Sequence, residues 1–337
     1  SASASPDALP AIISAAALTT GANGLAGLAD TDFLGSEAGG TGLWRLESVT
    51  DFTLLMVPGR TSTTVQNGMI TYLAARSDDC FAIAILDPPA NTTATGIVTH
   101  VKTTTSLYNA TDLGAMYWPR IKVANPSKTV YGSDDTITVP PCGHIAGVMA
   151  RTDNLPGGIY KAAAGINFGI IRGALGLETD EAKQMKKRDI VYPANVNPIT
   201  TIPGVPIHID GNRTLKDNGP FPSVSERRGV KFIESTIWSL MQAVRHQNNT
   251  TDLRDEVTRT VLSFLLTQMV LGAFQTKDPE TAFFVDFGDG LNPVSVQKQK
   301  KLRGRIGLAT PSSIDYVELE FSQDQRALEA EIAAATF

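Results

Sequence analysis

Apolar positions change their period several times along the chain, and each change predicts an element. Residues 1–42 show no period: Ala, Ser, Gly and Thr dominate, a composition that buries little apolar area per residue and reads as an irregular lead-in. Val49 to Val57 is a β-rich run stopped by Pro58-Gly59. Thr61 to Arg76 then carries Val65, Met69, Ile70, Tyr72 and Leu73 at helical spacing, and Cys80 to Leu86 is continuously apolar up to Asp87-Pro88-Pro89. A strand without alternation is covered on both faces, so strand, helix, strand here predicts a parallel sheet in an α/β layer. Residues 95–104 read as a further helix and Ala115 to Val123 as a third strand. Pro140-Pro141 precedes a buried helix over Ile145 to Ala150, whose small residues favour close packing on the sheet. Glycines punctuate residues 157–176, Asp180 to Asp189 is a charged, helix-like insertion, and Val196 to Ile209 reads as a hairpin bending at Pro203-Gly204.

The character changes beyond Asn212. Val230 to His246 places Val230, Ile233, Ile237, Leu240, Met241 and Val244 on one face, and Leu253 to Phe274 does the same with Leu253, Val257, Val261, Phe264, Leu265 and Met269. Two amphipathic helices in succession are followed by short strands at Phe283 to Phe287 and Tyr316 to Phe321, then by an amphipathic tail, Ser322 to Phe337. The economical division is a lead-in over 1–42, an α/β domain over 43–210 and an α+β domain over 211–337.

Bulk properties narrow the function classes. With 337 residues and 42% hydrophobic content the chain can bury a substantial core. A net charge of −5, with no basic block beyond Lys298 to Arg305, argues against direct nucleic-acid binding, which needs clustered positive charge. Cys80 and Cys142 match no metal spacing or disulfide framework and read as small buried thiols in a reducing compartment. No apolar run reaches the roughly 18 residues of a membrane span, and the start lacks a signal-peptide pattern, which points to a protein made and kept in cytosol.

Eight collinear segments resemble the tail sheath family of contractile-tailed bacteriophages. They are Phe52-Thr-Leu-Leu-Met-Val-Pro-Gly59, Cys80-Phe-Ala-Ile-Ala-Ile-Leu-Asp-Pro-Pro89, Ala115-Met-Tyr-Trp-Pro119, and Val139-Pro-Pro-Cys-Gly-His-Ile-Ala-Gly-Val-Met-Ala-Arg-Thr-Asp153, then Gly158-Ile-Tyr-Lys-Ala-Ala-Ala-Gly165, Val196-Asn-Pro-Ile199, Gly211-Asn-Arg-Thr-Leu215 and Val224-Ser-Glu-Arg-Arg-Gly-Val-Lys-Phe-Ile-Glu234. The resemblance covers about residues 45–322. It implies a subtilisin-like α/β domain without a catalytic triad, followed by the family's α+β C-terminal domain. It implies self-assembly as hexameric rings stacked around an inner tail tube, with baseplate and tail terminator proteins as further partners, in a virion tail assembled in the host cytoplasm. Neither a cofactor nor a small-molecule substrate is implied, and the energy of contraction comes from changed subunit contacts. In the family, terminal arms donate strands to adjacent subunits. Because this chain opens with Ser1 and only a short stretch lies beyond Phe321, it reads as a truncated core with impaired polymerisation. A related machine, such as an R-type bacteriocin or a secretion-system sheath, and more remotely a catalytically dead hydrolase-like binding module, are the alternatives.

Candidate chemistry is sparse. His144-Ile-Ala-Gly-Val-Met-Ala150 resembles the helix after a subtilisin's catalytic His, but alignment on His144 puts Pro141 in the role of the general base, and proline has no basic side chain. Asp286-Phe-Gly-Asp-Gly290 echoes a kinase magnesium motif without its companions and reads as a polar turn after a strand. Gly173-Ala-Leu-Gly176 lacks the full dinucleotide fingerprint. His100, His208 and His246 offer no metal spacing. Charge between sliding bodies fixes register while staying exchangeable, so Arg213, Glu226, Arg227, Arg228, Lys298, Lys301, Arg303 and Arg305, with Lys300 beside them, are the candidate inter-subunit contacts. Arg213 and Arg227, inside matched segments, serve equally well as internal braces.

Overall fold

The computed structural model describes residues 27–49, 51–76, 80–126, 128 and 135–312. The expected strand Tyr316–Phe321, the terminal tail and most of the lead-in lie outside the described residues. In chain order, α1 (Asp30–Leu34) and a 3-10 turn (Gly42–Ser48) lead to β1 (Leu54–Leu55), α2 (Thr63–Ala75), β2 (Ile83–Leu86), α3 (Ala94–Thr99), which continues as a π-turn over His100–Thr104, and β3 (Gly114–Trp118). Next come β4 (Ile121–Ala124), β5 (Thr136–Val139), α4 (Cys142–Asp153), α5 (Gly165–Phe168), β6 (Ala174–Leu177), α6 (Met185–Val191), β7 (Val196–Thr200) and β8 (His208–Ile209). The chain ends with α7 (Val224–Gln242), α8 (Thr251–Val270), α9 (Pro279–Ala282), β9 (Phe283–Asp286), α10 (Val294–Lys298) and β10 (Arg305–Leu308).

The main sheet has the order β1-β2-β3-β7-β8. Its first four strands are parallel and β8 turns back against β7, so the expected hairpin forms. β2 and β3 are buried at every position, which is why they read as unbroken apolar runs. The first core gathers around them, with Trp118, Tyr117, Tyr72, Met69, Ile97 and Ile145 among its largest fully enclosed side chains. α2 and α4 form where helices are expected, and the charged stretch after Thr179 forms a 3-10 turn and α6, which packs on α3.

One expected strand divides in two. Ala115 to Val123 is not continuous: β3 ends at Trp118, and β4, after Pro119-Arg120, joins a separate antiparallel sheet of order β5-β4-β6. Proline has no N–H to place in a ladder, so the parallel pairing cannot run through position 119.

The second core is smaller. Ile233 from α7, Val257, Val261 and Leu265 from α8, and Phe274, Phe283 and Phe287 enclose it. β9 pairs antiparallel with β10, a strand that its basic residues had hidden; Val285, Ile306 and Leu308 turn toward the core and Phe284 turns outward. No helix in the described residues is long and apolar enough to cross a membrane.

Candidate functional site

α7 is where the two cores meet. It starts six residues before the amphipathic pattern that predicts it, at Val224, because Ser223 and Glu226 form a reciprocal capping box: the Ser223 hydroxyl accepts from the Glu226 N–H at 3.2 Å and the Glu226 carboxylate accepts from the Ser223 N–H at 3.3 Å. From Val224 to Val230 and on to Lys231 and Ile233 the helix is buried on nearly all sides, with Val224 in the first core and Ile233 in the second. The Ser-x-x-Glu spacing is visible in the sequence and is the signal for this extension.

Burial of one helix between two cores decides the fate of its charges. Arg228, 5% exposed, forks onto the Asp153 carboxylate at the end of α4, with distances of 3.1 and 2.5 Å. Arg227 lies 3.2 Å from Asp112 and 3.7 Å from Glu234, and its guanidinium stands over the Phe221 ring. Lys231 pairs with Glu234 at 3.2 Å while its ammonium sits over Phe81. Glu226 and Arg228 are thus engaged inside the subunit, and Arg227 ties α7 to the loop before β3.

The same seam brings together segments far apart in sequence. Asn197 in β7 donates to the Met116 and Arg213 carbonyls and accepts from the Arg213 N–H at 2.7 Å. Arg213 stacks on Tyr192 at 4.2 Å, and Asn212 donates to the Ser225 hydroxyl. Tyr160 completes the seam by lying against Gly229, where a Cβ would sit 2.7 Å from its ring, and by donating to the buried Gln268 of α8 at 2.9 Å. Glycine at 229 is therefore a matter of room, and burial raises the Tyr160 hydroxyl's pKa.

A second junction lies under the first core. Asp87, 3% exposed, accepts from the Gly59 N–H at 3.1 Å and from the Cys142 N–H at 2.9 Å, joining the ends of β1 and β2 to the start of α4. Burial pushes its carboxyl above the usual range despite these bonds, and the adjoining Cys142 thiol is pushed up by the same burial and by Asp87 itself. Pro141 stands at the N-cap of α4, next to this carboxylate and one turn before half-buried His144. The pair is a structural tie between chain segments, and burial favours the neutral form of each partner.

Toward the C-terminus, Asp286 accepts from the Gly288 N–H and Asp289 pairs with Arg254, while fully buried Asn292 donates to the Phe287, Gly288 and Arg303 carbonyls. The kinase-like string is thus a turn, and Asn292, which no periodicity or motif marks in the sequence, is its organiser. Lys298, Lys300, Lys301, Arg303 and Arg305 are all exposed around the β9-β10 hairpin. A cleft of about 790 Å³ runs along α7, lined by Phe81, Ile237 and Trp238, by Ile306 and Leu308 of β10, and by the charged Arg227, Lys231 and Glu234. Among the described strands β10 pairs with β9 alone, and its Ile306 and Leu308 side chains line this cleft. No group of three or more metal-ligating side chains occurs among the described residues.

No family model matches the chain, and no curated protein matches it. Solved structures do. A chain of the anti-feeding prophage baseplate superposes with a TM-score of 0.67 at 22% identity over 83% of this chain and 70% of that one. A chain of the sheath complex of an extracellular contractile injection system, in its contracted state, gives 0.67 at 23% over 83% and 73%. The sheath tail protein from Desulfitobacterium hafniense gives 0.50 at 12% over 72% and 51%. The mixed α/β architecture is thus shared with contractile sheath proteins over 83% of the chain.

Proposed function

We propose that this chain is a structural, self-assembling subunit of a contractile tail sheath. Copies stack as hexameric rings around an inner tail tube, meet baseplate and tail terminator proteins at the ends, and contract to drive the tube through an envelope. One observation carries the reading: a sheath-type fold that extends through 83% of the chain. The architecture supports it physically. A subunit that moves as a stiff body needs its parts tied together, and the α7 seam supplies buried ion pairs, a stacked tyrosine and shared helix faces for that purpose. In this reading residues 43–210 form a subtilisin-like domain and 211–337 the C-terminal domain, and the work of contraction comes from exchanged surface contacts.

The hairpin edge supplies the assembly site. An arm from a neighbouring subunit adds a strand along β10, with apolar side chains entering the cleft and acidic ones facing Lys298, Lys301, Arg303 and Arg305. Tyr316-Val-Glu-Leu-Glu-Phe321 has that alternation and that charge. Arg213, Glu226, Arg227 and Arg228 serve as internal braces.

Two settings are open to such a subunit. The resemblance of its segments to phage sheaths supports a virion tail; the superpositions on the prophage baseplate and the extracellular injection system support a headless machine of that type. Co-expression of the full gene product with its tube protein, then electron microscopy, tests both. Helical tubes are expected, and DNA-filled heads on the parent particles separate virion from headless machine. Persistent dispersal in the presence of tubes, or labelling by a fluorophosphonate serine probe, overturns the sheath assignment.

A further inference from the structure

The segment before β1 is clipped to the core at both of its ends. Leu34 of α1 rests on Gly68 of α2, where a Cβ would lie 2.4 Å from the leucine methyl, and Arg60 covers the Phe33 ring at 4.2 Å and reaches Asp30 at 4.0 Å. The chain then reverses through two glycines at positive φ, Gly35 and Gly42, whose backbones approach so closely that a Cβ on Gly35 would stand 1.8 Å from the Thr41 carbonyl oxygen. The 3-10 turn after Thr41 buries Leu43 and sets Trp44 edge-on to Tyr72, with centroids 5.2 Å apart.

Arg76 closes this clasp. It caps α2, is 5% exposed, and directs its guanidinium at the carbonyls of Leu46, Glu47 and Val49 at 2.8, 3.1 and 3.3 Å and at the Tyr72 hydroxyl at 2.7 Å. The last carbonyls of a helical turn carry its negative pole, and the Leu46 carbonyl is shared with the Val49 N–H at 2.9 Å. A planar guanidinium spreads five donors over three nitrogens and so spans separated carbonyls, whereas an ammonium has three donors on one atom. Beyond the clasp the attachment to the sheet is weak: β1 is the edge of the main sheet and pairs with β2 through Leu54 and Leu55 only.

We infer that Arg76 is a positioning residue that pins residues 30–48 as a mechanical clasp, so that tension on the preceding chain enters the core through α2 and does not peel β1 from the sheet. With the clasp closed, a pull from upstream must shear α1 and the 3-10 turn along α2 together. With it open, the load passes to the two-residue ladder and the apolar contacts of residues 52–57 with the core. The source of tension, neighbouring subunits, rests on the sheath reading; the clasp itself does not.

Single-molecule pulling on the full chain separates the two. One handle is placed at Ser1 and one at exposed Met185→Cys, since Cys80 and Cys142 are buried at 1% exposure each and leave the new thiol as the reactive one. The wild-type background should show no separate step before the main unfolding event. Arg76→Gln should add an early low-force step releasing about 70 Å, the extended length of roughly 20 residues, and Arg76→Lys should show it in fewer traces. Trp44→Leu opens the same clasp from its other side and should give the same step, which covers failure of the Arg76 variants to fold. Identical traces in all variants, an equally early step in wild type, or a lowered main event without a separate step would each overturn the clasp. Failure to form tubes would overturn the sheath reading and leave the pulling result standing.

Discussion

The first core runs from Leu43 to Val224 through the five-stranded sheet, its helices and part of the small three-stranded sheet, whereas the second consists of faces from α7 and α8 and one two-stranded hairpin. A two-stranded hairpin is marginal by itself, and apolar side chains around the second core stay in solvent: Trp238, Leu266, Val270 and Phe284 are 39%, 40%, 81% and 52% exposed. The first body carries its stability within itself. The second borrows part of its stability from the seam, and among the described strands its β10 has β9 as its one neighbour. In the subunit proposed above, exposed apolar faces on either half are what contacts would draw on, because a face satisfied in the monomer has no free energy left to give to a neighbour.

The contrast is most severely tested in the first core. Trp118→Ala removes a fully buried ring whose indole N–H donates to the Thr92 carbonyl at 2.7 Å. It should cost about 3–5 kcal/mol, and denaturant unfolding should show both halves lost in one transition, since the second core cannot outlive the first.

Asp153→Ala addresses the seam. It strands buried Arg228 without its partner, but the aspartate side chain is 30% exposed, so water compensates in part. The expected cost is about 1–3 kcal/mol. Calorimetry should now resolve two transitions, with the hairpin and α8 melting first; a single unchanged transition would show that α7 does not couple the cores. Tyr160→Phe keeps the ring against Gly229 and removes only the bond to Gln268, so a loss of about 0.5–1.5 kcal/mol is expected, and in the Asp153→Ala background it should fall on the earlier transition.

The smallest effect depends on pH and belongs to the first core. Burial holds His100 below its ordinary value of 6.5, and its Nε2 lies 2.9 Å from Gln66, which in turn donates to the Asp87 carbonyl. The folded pKa is depressed, so the unfolded chain takes up the proton first: stability is intact above 6.5 and declines as pH falls toward the folded value. His100→Gln should flatten the melting temperature of the first core over that window and leave the second unchanged. Asp87 works oppositely: its raised pKa gives a contribution present below 3.8 and lost as pH rises through the folded value.

Much of the fold was legible because it arises from periodicity. The unbroken run Cys80 to Leu86 announced a strand covered on both faces, Ala115 to Val123 announced a strand that the structure divides at Pro119, and helical spacing announced α2, α7 and α8. β10 was not legible. Arg305-Ile-Gly-Leu308 has one large apolar residue on each side of a glycine and comes after a basic run, so its strand character comes from pairing with β9. The candidate site was legible only as a set of charges. Local pattern does not distinguish Arg228, buried on Asp153, from Arg303, exposed near the hairpin, although both sit among polar neighbours.

The sequence alone determined the helices α2, α4, α7 and α8, strand β2 and that the first body is an α/β layer, because the period of apolar residues must match the geometry of the backbone that buries them. Only the tertiary structure decided what the polar residues do. Asn197, Arg76 and Arg228 acquire partners from segments distant in the chain, and whether a charge braces the fold or waits at a surface depends on which face another element covers.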